Sequence, residues 1–146
     1  MFKTTFLLIA LLGMTEAANA VCPEKPVSLC QVVAQNPIVV RARVASTQML
    51  VDEDDPKGVA GWVYHLDVIK DYRHGKPGKL AIMSENTTSR VSLETGKEYI
   101  VFASRNGEGQ LEAGNYCDPY SSRKFDMKTE RKVITCLLDE KAGQRN

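Results

Sequence analysis

Charge of one sign is what this chain has least of. Its 19 basic and 18 acidic residues leave a formal net charge of +1. The overall balance therefore gives no general pull toward nucleic acid or an acidic membrane. Histidine is scarce, with only His65 and His74 present, and neither a G-x-S-x-G nor an H-E-x-x-H pattern occurs. A Cys/His nucleophile pair would need a free thiol. These gaps predict a protein that is not an enzyme and carries no cofactor. Internal repeats and low-complexity tracts are missing as well.

What is present begins with an export leader. Met1–Phe2–Lys3 supplies a positive start, Phe6–Leu12 a short apolar core, and Ala18–Asn19–Ala20 an A-x-A cleavage site. The apolar core is too short to span a bilayer. The expectation is a signal peptide over residues 1–20 and a mature chain from Val21, secreted or periplasmic, with no membrane insertion. Residues 21–138 make one domain's worth of chain, and residues 139–146 a carboxy-terminal tail. All four cysteines lie behind the leader: Cys22 and Cys30 near the start, Cys117 and Cys136 near the end. An even count in a short exported chain predicts a disulfide framework, with three connectivities open. The spacings fit no zinc pattern.

Short elements follow one another along the mature chain. Ser28 and Gln31 fit a capping box, with Leu29, Val32 and Val33 on one face, and Asn36–Pro37 ends that helix. Ile38–Thr47 alternates as a strand, Val40, Ala42 and Val44 against Arg41 and Arg43. Met49–Gly61 reads as a loop or hairpin tip carrying Asp52–Glu53–Asp54–Asp55. Trp62–Tyr72 is a second strand, with Trp62, Tyr64, Leu66 and Val68 opposite His65 and Asp67. Arg73–Lys79 is a turn, and Leu80–Met83 a third strand. Glu98–Ser104 is apolar enough to be buried on both faces. Asn106–Gly107 turns it into a short last strand, Gln110–Ala113. Lys124–Leu138 is a weak helix. Five strands with a helix near each end predict a mainly β fold. Its form is an OB-fold-like Greek-key barrel with short flanking helices, although spacing alone also permits a sandwich.

The ordered run Cys22-Pro23, Cys30, IVVRARVAS, YHLDVIKDYRHGKPG, GKEYIVFAS and LEAGNYC resembles the netrin-like, tissue-inhibitor-of-metalloproteinases domain family. The likeness spans nearly all of Val21–Cys136 and implies a five-stranded barrel. It also implies bridges Cys22–Cys117 and Cys30–Cys136. Inhibitors of that family begin Cys-x-Cys, and their terminal amine and carbonyl chelate the target's zinc. Here Ala20 stands where the first of those cysteines belongs, and Ser84–Glu98 holds no partner for it. Two members of one bridge are lost together, which leaves the amino terminus less firmly anchored.

The resulting expectation is an exported protein-binding module, disulfide-stapled, whose partner is another exported protein. Its contacts are expected at Val21, Cys22 and Pro23, and at Met49, Leu50 and Val51, which could anchor a projecting loop. A metalloproteinase is one such partner, and inhibition through Val21 is the alternative reading. Ordering a loose chelating end costs binding free energy, which counts against it. A third reading is an oligosaccharide or nucleic-acid binder using Arg41, Arg43, Lys70, Arg73, Lys76 and Lys79. Few aromatics interleave with those charges, so they read as solvated strand faces and no nucleic acid is expected. The acidic run lacks the glycine and distal glutamate of a helix–loop–helix calcium site. Asn86–Thr87–Thr88 is an N-glycosylation sequon.

Overall fold

The computed structural model describes residues 27–87, 90–113 and 122–144. Helix α1 (Leu29–Gln35) starts as the capping box requires: Gln31 N–H donates to Ser28 Oγ at 3.3 Å, and Ser28 N–H to Gln31 Oε1 at 2.9 Å. Pro37 disfavours helical geometry at Asn36, so the chain turns extended there. Six strands follow: β1 (Ile38–Val51), β2 (Val59–Asp71), β3 (Gly78–Glu85), β4 (Glu98–Arg105), β5 (Leu111–Ala113) and β6 (Ser122–Lys124). Helix α2 (Met127–Gly143) closes the fold, its first turn capped by Asp126, whose Oδ1 accepts from Thr129 N at 2.8 Å.

Pairing runs β1-β2-β3-β5-β4, and β4 pairs back onto β1. Five strands thus form a closed barrel, which removes most open sheet edges. All pairings are antiparallel except β3–β5, which meet in parallel at Met83 and Glu112. β6 continues beyond β5 along β4, with Tyr99 opposite Lys124. The strand order is that of the oligonucleotide/oligosaccharide-binding barrel.

Two apolar cores explain the sequence pattern. Inside the barrel lie Val40, Ala42 and Val44 of β1, Tyr64, Leu66 and Val68 of β2, Ile82, and Tyr99, Val101 and Ala103 of β4. Val91 and Leu93, from the loop between β3 and β4, plug one end, where Val91 O accepts from Tyr64 Oη at 3.2 Å. Outside the barrel, Val39, Ile100 and Phe102 pack under Leu29, Val32 and Val33 of α1 and Val133 and Leu137 of α2. β4 is apolar from Tyr99 to Ala103 because Tyr99, Val101 and Ala103 fill the barrel while Ile100 and Phe102 meet the helices. Cys30 is bonded to Cys136, Cα atoms 5.0 Å apart, and fastens α1 to α2.

The structure departs from expectation at some boundaries. β1 and β2 run on through Met49–Val51 and from Val59, so the loop shrinks to the tip at Asp52–Gly58. Cross-strand pairing of apolar residues extends the arm where single-strand periodicity fades. α2 reaches Gly143, and its last turns are tied to the turn after β2 by the Glu140–Arg73 ion pair at 3.2 Å. β6 was not expected; Ser-Arg-Lys has no β pattern, and backbone bonding to β4 alone makes it a strand. The Cys22–Cys117 bridge and the sequon's Thr88 lie outside the described residues.

Candidate functional site

The β1–β2 arm is built by a bulge. Val44 faces Leu66 and Ser46 faces His65, which leaves Ala45 as an extra residue in β1. An inserted residue reverses which side chains face the barrel axis. The inward set therefore changes from Val40, Ala42 and Val44 to Thr47, Met49 and Val51, with Thr47 opposite Tyr64 and Met49 opposite Trp62. β3 accompanies β2 only as far as Gly61, opposite Glu85. Beyond that point no strand among the described residues pairs with β2 other than β1. Met49 is left 56% exposed and Val51 52%, beside a half-buried Trp62.

The acidic tip folds on itself. Asp52 Oδ1 accepts from Asp54 N at 2.9 Å and Asp55 Oδ1 from Lys57 N at 3.1 Å. Asp52 N–H donates to Gly58 O at 3.2 Å. These carboxylates satisfy turn amides. No group of three or more metal-ligating side chains occurs among the described residues.

The β3–β4 loop is tied to this arm. Asn86 Nδ2 donates to Val59 O at 2.8 Å, and Asn86 Oδ1 accepts from Arg90 at 3.2 Å. Arg90 stands over the Trp62 ring, 5.4 Å from its centroid. The sequon asparagine is therefore a fastening between β3 and the arm. Sequence reading missed the Arg90–Trp62 pair; the one tryptophan, placed where a strand leaves the barrel, was the signal available.

The basic residues expected on solvated strand faces are drawn into ion pairs to different degrees. Arg41 and Arg43 both bind Glu98, each at 2.7 Å, and the Arg41 guanidinium stands over the Phe125 ring, 3.6 Å from its centroid. Hydrogen bonds from the two guanidinium groups hold the Glu98 carboxyl below its usual range. Lys70 binds Glu130 at 3.0 Å, and Arg73 is half-buried against α1 and α2. Arg41 and Arg73 are partly buried in these pairs, whereas Arg43 and Lys70 remain on solvated faces, and Glu98, shared by two guanidinium groups, offsets only one of their charges. Lys76 and Lys79 are exposed, as is His65. His74 contacts Asp71 at 3.3 Å in the β2–β3 turn. Of the expected contact residues, Met49, Leu50 and Val51 sit together at the end of β1. Val21, Cys22 and Pro23 lie outside the described residues.

The fold and this surface define a disulfide-stapled OB-type barrel with a projecting two-stranded arm. A scan against protein-family models finds no match to the chain, and no curated protein matches it. Among the described residues no helix is long and apolar enough to cross a membrane.

Proposed function

We propose that this chain is an exported, non-enzymatic binding module of the netrin-like type that recognises another exported protein through its β1–β2 arm. One observation carries the reading: Met49 and Val51 stand more than half exposed on the inward face of an arm that has outrun its barrel. Exposed large apolar side chains on a rigid hairpin, rimmed by charge, suit the buried centre of a protein interface. The Cys30–Cys136 link and the strand order support the kinship. The disulfide is compatible with an oxidising compartment, and the leader motif at residues 1–20 supports export.

Arg41, Arg43, Lys70 and Arg73 share three carboxylates, Glu98, Glu130 and Glu140, which leaves little net positive charge for a polyanion ligand. The alternative inhibitor reading differs in where binding resides. Two variants separate them: Met49→Asp combined with Val51→Asp, and one residue added before Val21. With melting temperatures matched to the parent, capture of a partner from the exported fraction should be lost in the first and kept in the second. Loss on extension with retention in the arm variant would transfer the function to the amino terminus.

A further inference from the structure

β1 has two edges, and they are not equally covered. On one, β2 accompanies it from Val40 opposite Asp71 to Val51 opposite Val59. On the other, β4 pairs only from Ile38 to Arg43. Val44 adds two bonds to the turn before β4, donating to Lys97 O at 3.0 Å and accepting from Gly96 N at 2.8 Å. From Ala45 to Val51 that edge bonds to no further backbone among the described residues. Thr95 comes alongside through a hydroxyl contact with Thr47 at 3.3 Å. The barrel is closed, yet its longest strand carries an open edge past the closure.

An open edge is a row of unpaired N–H and C=O groups, a template for another strand. Soluble proteins guard such edges with lysine, proline or inward charge. Ala-Ser-Thr-Gln-Met-Leu-Val, residues 45–51, has none of these. Charges of opposite sign stand at its two ends. Asp52, Glu53, Asp54 and Asp55 lie beyond Val51, while beside Val44 stand Lys97, exposed and in no ion pair among the described residues, and Glu94, whose carboxylate is taken up by Lys124 at 2.7 Å, so that end stays net positive.

We propose that a second copy of this chain pairs here, β1 edge to β1 edge, as a two-fold antiparallel dimer. The direction follows from charge: antiparallel addition sets each acidic end against the partner copy's Lys97, whereas parallel addition stacks acid on acid. Gln48 is the midpoint of the uncharged stretch, so it faces its own counterpart across the axis, and Ala45 faces Val51. Met49 then packs opposite Thr47 and gains apolar cover. Such an interface uses one patch on both copies, so association stops at two. The inference goes beyond partner binding and rests on the strand edge and the charges at its two ends.

Sedimentation velocity of the mature protein over a range of concentrations tests it. The expected result is a concentration-dependent dimer. Gln48→Lys and Gln48→Glu, each with the parent's circular dichroism, should weaken dimerisation about tenfold or more, because like charges meet directly across the axis. Mixing the two variants should restore the dimer, now with opposite charges paired. A parent that stays monomeric throughout, a dimer indifferent to both substitutions, or a mixture that recovers nothing would overturn the proposal. The experiment uses the protein alone, so its failure leaves the arm's role toward other proteins to be judged separately.

Discussion

The Tyr72 hydroxyl donates to Glu130 Oε1 at 2.9 Å, joining the turn after β2 to the inner side of α2. Lys70 Nζ reaches the same oxygen at 3.0 Å. Glu130 is only 8% exposed. Burial opposes its ionisation, but the bonds from Lys70 and Tyr72 outweigh burial and hold the carboxyl below its ordinary range. Burial, followed by the hydrogen bond to that carboxylate, pushes the Tyr72 hydroxyl up. The outer layer is thus held to the barrel by a charged contact as well as an apolar one.

Acid should loosen that contact. A carboxyl held below its unfolded value binds fewer protons in the folded chain, so its stabilisation is present above the unfolded pKa, about 4.3 for glutamate. It is lost as pH falls further. Melting temperature should be flat from about pH 7 to 5 and fall below about pH 4.3. Glu130→Gln should cost roughly 1–3 kcal/mol at pH 7 and make the acid fall shallower. Asp71, Glu98 and Asp126 are also held low, so some fall should remain. Thermal melts of both proteins across this range decide it; identical acid slopes would show that Glu130 carries none of the effect.

The Cys30–Cys136 link closes a sequence separation of 106 residues. Loop-closure entropy alone assigns such a loop roughly 4–5 kcal/mol. Replacing both cysteines by serine should lower the urea midpoint accordingly. Amide exchange should rise first in α1, a seven-residue helix too short to persist alone. Unchanged exchange there would mean that apolar packing suffices to hold it.

Gly61 lies where β2 and β3 draw close. A Cβ there would sit 2.7 Å from Ser84 O, while one at Gly78 would meet nothing within 4 Å. Gly61→Ala should therefore destabilise by about 1–3 kcal/mol. Gly78→Ala should be near neutral, and chemical denaturation of both compares them. Equal effects would remove close approach as the reason for glycine at 61.

Much of the fold was legible because local chemistry and burial agree. The Ser28–Gln31 cap, the inward Val40–Ala42–Val44 set, the Trp62–Val68 alternation and the two-sided burial of Glu98–Ser104 all follow from side-chain type and period. β6 and the ion pairs were not legible. β6 depends on the neighbouring edge of β4, and Arg41, Arg43, Lys70 and Arg73 are paired with acids 57, 55, 60 and 67 residues away. The arm was half legible: Met49–Val51 stood out as apolar beside acids. The Ala45 bulge that turns Met49 and Val51 onto the inward face has no signature in one sequence.

Arg73 shows how much such a distant contact carries. It donates to Val33 O and to Asn36 O, the latter at 3.2 Å, and so takes up carbonyls that the end of α1 leaves unpaired. Arg73→Lys keeps the charge but not the fork that serves two carbonyls and Glu140 together. It should cost about 1–2 kcal/mol, read by thermal melting. A silent substitution would show that water serves those carbonyls equally well.

Cys30 and Cys136 covalently clamp α1 to α2 over a closed barrel. Non-reducing peptide mapping of the exported protein, with amino-terminal sequencing, tests it most directly. The account predicts a mature start at Val21 and a linked peptide pair containing Cys30 and Cys136, with Cys22 joined to Cys117. Free thiols at Cys30 and Cys136, or a link between Cys22 and Cys30, would contradict it.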